Sequence, residues 1–67
     1  MKLYEIVADY RQNNQNKPRY YVYGESKVQA KRRFTQHISW LKIYEVNELS
    51  PGRATEIASH PELHIIF

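Results

Sequence analysis

Four cations, Lys27, Lys31, Arg32 and Arg33, fall within about two turns' worth of chain, and no Asp or Glu stands between Ser26 and Ile38. A cluster of this kind can hold phosphates, each contact adding salt-sensitive affinity. It can equally grip an acidic protein surface. A plain solvated helix face is the ordinary reading of a charge run, but such faces mix both signs, and this one does not. Arg19, Lys17 and Lys42 are candidates to extend the patch. Tyr21, Tyr23 and Trp40 form a second candidate surface. On an open sheet face they could stack on bases or make protein contacts, while as strand residues they also suit a core.

Other chemistries find little support. His60 and His64 are four residues apart, a metal-ligand spacing on a helix, but Pro61 lies between them and no third ligand is near. They are expected to be surface or edge histidines, with no metal and no cofactor. His37 falls at a helix C-terminus, where a partial positive charge suits the dipole. The two glycines, Gly24 and Gly52, stand far apart, so no phosphate-cradling loop exists. Ser26, Ser39, Ser50 and Ser59 lack a nucleophile-elbow context. The carboxylates show no catalytic pairing, and a small domain has little volume for a water-excluding pocket. A binding protein is expected, not an enzyme.

The elements that must position these residues follow from periodicity. Residues 2–11 read as a strand with Tyr4, Ile6, Ala8 and Tyr10 on its core face, because the odd face carries three charges. Residues 12–18 form a polar loop, and residues 19–23 a second strand with Tyr20 and Val22 on one side and Tyr21 and Tyr23 on the other. Ser26 is a helix N-cap with Gln29 placed as in a capping box. Ala30, Phe34 and Ile38 make the buried stripe of that helix. Residues 40–46 read as a strand with Leu41 and Ile43 on one side and Trp40, Lys42, Tyr44 and Val46 on the other. Ser50-Pro51-Gly52-Arg53 fits a type II turn. Residues 53–59 are ambiguous between strand and helix, and the turn favours a strand hairpinned back on the third. Residues 63–67 form a last, β-branched strand.

The expected fold is therefore one α+β domain over 1–67, in the order β-β-α-β-β-β. A four- to five-stranded, mostly antiparallel sheet carries one helix on one face. At 67 residues there is room for a single domain, and about 60% of the unfolded chain's surface is buried at this size. The net charge of +3 is mild, and six tyrosines are many for the length. Nothing approaches the roughly 20 apolar residues of a membrane span. With no cysteine and no signal-peptide pattern, a soluble cytoplasmic protein is expected.

Two resemblances arise from these motifs. Residues 21–26, then Ala30-Lys31-Arg32, then residues 41–46 resemble the β-β-α-β core of archaeal LX-type ribosomal proteins, which implies RNA binding. The chain departs from that family in its last third. In length and layout it is more similar to small type I-F anti-CRISPR proteins. The shared features are Lys2, Tyr4 and Ile6 in the first strand, Ser26 and Ala30-Lys31-Arg32 in the helix, and Leu41-Lys42-Ile43 in the next strand. That resemblance implies a phage or mobile-element protein that docks on the backbone subunits of a surveillance complex in the host cytoplasm and blocks target DNA. Direct binding of RNA or DNA by the basic helix face is the rival expectation. A homodimer paired through a sheet edge is a third, the alternative being a monomer.

Overall fold

The computed structural model describes residues 1–9 and 19–67. The elements, in chain order, are strand β1 (Lys2–Asp9), strand β2 (Arg19–Gly24), helix α1 (Lys27–His37), strand β3 (Lys42–Glu48) and helix α2 (Pro51–Ala58). The fold is α+β. Its sheet has three antiparallel strands in the order β2-β1-β3, with β1 in the centre. The end of the expected first strand, Tyr10 and Arg11, and the loop at 12–18 lie outside the described residues.

Alternation along β1 sends Tyr4, Ile6 and Ala8 to one face. There they join Tyr20 and Val22 of β2 and the inward stripe of α1, Ala30 and Phe34, in the larger core. Ser26 caps α1 as its sequence predicts, its Oγ accepting from the Gln29 backbone N–H at 3.2 Å. The reciprocal arm is shifted by one residue: the Gln29 side chain accepts from the backbone N–H of Glu25. Ile38 closes the helix, its N–H reaching the Phe34 carbonyl at 2.8 Å. Only two residues separate β2 from α1, and Gly24 makes that tight passage possible. A Cβ there would lie 3.1 Å from the backbone nitrogen of Ala30.

The second half of the chain corrects the expected order to β-β-α-β-α. Residues 51–58 are helix α2, not a turn leading into a strand. Ser50 is an N-cap, its Oγ accepting from the Arg53 N–H at 3.3 Å, and Pro51 occupies the first turn, where no N–H is needed and φ is already helical. Gly52 has no positive φ, so the type II turn does not form. The helix buries Ile57, with Ala54 beside it, against Leu3 and Tyr21. The sheet therefore carries a helix on each face, and the odd residues of β1 are not all at the surface: Leu3 and Val7 are buried as well.

The expected last strand is reduced to a single parallel bridge, Tyr21 to Ile66, at the free edge of β2. Three backbone hydrogen bonds hold it: Tyr21 N–H to the Ile65 carbonyl at 2.9 Å, Phe67 N–H to the Tyr21 carbonyl at 2.7 Å, and Tyr23 N–H to the Phe67 carbonyl at 3.3 Å. Alternation then splits the anchors. Ile66 packs into the α2-side cluster, while Phe67 packs against the α1-side core. Sheet strands thus number three among the described residues, fewer than the four or five expected.

A register shift changes one further face assignment. Val7 stands opposite Glu45 and Ala8 opposite Ile43, which makes Tyr44 the extra residue of a bulge. Past the bulge the alternation resets. Val46 therefore joins Ile43 against the α1-side core, and does not point away from it as strict period-two counting predicts.

Candidate binding face on helix α1

Helix α1 lies on the sheet with Ala30 and Phe34 fully buried and most of its circumference in solvent. At about 100° per residue, Arg32 stands opposite that buried pair, on the crest of the helix. Lys31 falls on one flank and Arg33 on the other, about 200° round from Lys31, while Lys27, one turn before Lys31, is rotated about 40° toward the buried side. Lys27, Lys31 and Arg32 are exposed and Arg33 is half-buried, its guanidinium 3.7 Å from the sulfur of Met1. Val28, 68% exposed, shares the crest with Arg32.

The charges of this helix stand apart from the rest of the molecule. Among the described residues the ion pairs are Lys2–Glu48 at 3.6 Å, Arg19–Glu5 at 3.7 Å, Arg53–Glu56 at 2.9 Å and, when His60 is protonated, His60–Glu62 at 3.4 Å. None involves a cation of α1. The first turn of α1 holds no acidic residue, although its N-terminal dipole favours one, and Lys27 occupies that turn instead. Lys27 and Lys31, spaced i and i+4, repel each other by a few tenths of a kcal/mol. Every one of these choices costs the free domain some stability.

Carboxylates gather on the other face of the sheet. Glu5 lies between Tyr4 and Ile6, so its side chain points away from α1. The Asn47 amide bridges it to Glu45, with both contacts at 3.5 Å. On that face these carboxylates are offset by Arg19, Lys42 and Arg53, so the domain's positive charge is concentrated on α1.

Of the cations expected to extend the patch, two do not. Arg19 is paired with Glu5 on the face away from α1. Lys42 is exposed at the start of β3, in register with Asp9, and alternation from the inward Ile43 turns it away from α1. Lys17 lies outside the described residues. The aromatic surface is likewise dispersed. Tyr21 is 4% exposed and Tyr23 half-buried, both covered on the α2 side, where His64 meets the Tyr21 ring edge-on at 5.3 Å. Trp40, 70% exposed, sits in the connection between α1 and β3 and not on the sheet face with them. The sheet face is closed because residues 51–58 fold as a helix over it, which reading them as a strand conceals.

An open groove of about 360 Å³ runs between α2 and the start of β1, with Leu3, Tyr23, Leu49 and Ala54 along it and the Lys2–Glu48 pair at its side. It belongs to the face away from α1. Among the described residues no group of three His, Cys, Asp or Glu side chains is placed to hold a metal ion, and no helix is long and apolar enough to cross a membrane. No family model, no curated protein and no solved structure matches this chain. Function is therefore argued from the site itself.

Proposed function

We propose that this protein is a small phage or mobile-element accessory protein that binds and inhibits a nucleic-acid-handling complex in the host cytoplasm, with a CRISPR surveillance complex as the leading candidate. It docks through the solvent side of α1, where Lys27, Lys31, Arg32 and Arg33 make the contact, and it does so by binding alone, without catalysis. The observation that carries this reading is the charge accounting. Among the described residues, Lys2, Arg19 and Arg53 each have a carboxylate within ion-pair distance, whereas the four α1 cations have none. Side chains that repel one another in the free domain become favourable when an anionic partner arrives.

The scaffold suits such a role. Helix α1 is anchored across all three strands, so little ordering entropy is lost when its exposed side is covered. The choice of a surveillance complex rests on the layout resemblance of the first strand, the Ser-capped helix and the Leu-Lys-Ile segment. Capture of partners from a host lysate by tagged wild-type protein and by the Lys31→Glu/Arg32→Glu variant tests the docking face. Recovery of a nucleic-acid-handling complex by the wild type alone supports it. Equal recovery by the variant removes α1 from the account.

A further inference from the structure

The geometry points to duplex DNA as the surface that α1 touches, with the helix seated lengthwise in a major groove. This rests on α1 being the docking face and names what it meets there. Three observations converge. First, the cations flank a ridge. Arg32 lies on the crest, opposite the buried Ala30 and Phe34, with Lys31 and Arg33 about 100° to either side of it, while Lys27, at the first helical position, lies toward the sheet side of the Lys31 flank. A helix about 10–12 Å across fits a B-form major groove about 12 Å wide. Its flanks then face the phosphates of the two strands while its crest faces base edges.

Second, charge sign decides against a protein's DNA-binding cleft. Such clefts are positive, and a cationic helix entering one meets like charge. The same helix is attracted to the DNA that the complex handles. On the opposite sheet face Glu5 and Glu45 are offset by Arg19 and Lys42, so the net positive charge is concentrated on α1 and turns it toward a polyanion during approach.

Third, the ring side chains of α1 are already engaged: Phe34 is buried and His37 stacks on Phe67. Single strands are held on aromatic platforms. Tyr21 and Tyr23 are instead enclosed on the α2 side of the sheet. Duplex RNA has a major groove too narrow to admit side chains on a helix. Inhibition then comes from seating α1 on the duplex that the complex holds, so that the DNA-loaded complex is what α1 captures.

The test is fluorescence anisotropy with a labelled 16-base-pair DNA duplex, the matching single strand and the matching RNA duplex. About two to three phosphate contacts at a slope near −0.9 each imply roughly 12- to 40-fold weaker binding between 50 and 200 mM salt. The expected result is that slope on duplex DNA, at least tenfold weaker binding of the other two probes, and at least tenfold loss on duplex DNA in Lys31→Gln/Arg32→Gln. Arg53→Gln, on α2, serves as the control and keeps wild-type affinity. Equal binding of all three probes overturns the inference, and so does a flat salt dependence. If duplex DNA is not bound while a nuclease-resistant complex is still captured through Lys31 and Arg32, α1 lands on protein: the inference fails and the docking reading survives. If the variant keeps both DNA and complex, the two fail together.

Discussion

The ring of Phe67 stacks on that of His37, with centroids 4.8 Å apart and planes within 15° of parallel. This contact joins residues 65–67 to the last turn of α1. Phe67 also meets Phe34 and Tyr20, each with centroids 6.1 Å away, so it completes an aromatic cluster whose innermost member is the fully buried Phe34. The short parallel bridge beside β2 thus matters less for its backbone bonds than for the side chain it delivers.

Phe67→Ala is expected to cost about 2 kcal/mol, less than a fully buried phenylalanine because the ring is only partly covered. Urea denaturation reads it directly. Ile65→Ala is the comparison: Ile65 is 54% exposed, and its loss should change stability by no more than about 0.5 kcal/mol. Equal costs at the two positions would mean that Phe67 does not enter the core.

The two glycines are expected to respond oppositely to alanine. At Gly52 an added Cβ meets nothing within 4 Å and φ is not positive, so Gly52→Ala should stabilise the domain by about 0.5–1 kcal/mol through helix propensity and a less flexible unfolded chain. A type II turn would give the reverse sign. At Gly24 the new methyl would press on the Ala30 backbone at 3.1 Å and 3.3 Å, where backbone cannot easily yield, so Gly24→Ala should destabilise. Thermal melts of both variants check the pair.

Lys27→Glu separates stability from function. It places an acid in the first turn of α1 and replaces the Lys27–Lys31 repulsion with an attractive i, i+4 pair. The free domain should gain about 0.5–1 kcal/mol, by denaturant titration, while partner binding weakens. A variant that is neither more stable nor weaker in binding would show that Lys27 is an ordinary surface residue.

Much of this architecture is legible in the sequence, for local reasons. Period-two alternation in β1 identifies Tyr4, Ile6 and Ala8, and the Ser26 cap followed by Ala30, Phe34 and Ile38 identifies α1 and its buried stripe. The unusual charge of α1 is visible as the absence of Asp and Glu. The misassigned part begins at Ser50-Pro51, which suits both a turn and a helix start. The capping serine, Pro in the first turn, and Ala54 with Ile57 at i, i+3 were the signals for α2. Read as a strand, that segment leaves the tyrosine face open, whereas as a helix it covers Tyr21 and Tyr23. Arg19 and Lys42 look like part of the patch because one-dimensional charge counting cannot tell which face of a sheet a cation occupies. Val46 depends on a bulge at Tyr44 that no local motif announces.

The central claim is that α1 is the docking face of an inhibitor of a nucleic-acid-handling complex. Its most direct measurement is affinity capture from host lysate, run with wild type and with Lys31→Glu/Arg32→Glu, after circular dichroism has shown that both exposed substitutions leave the fold intact. The account predicts that the wild type retains such a complex and the variant loses it. A variant that recovers the same partners in the same amount would contradict it.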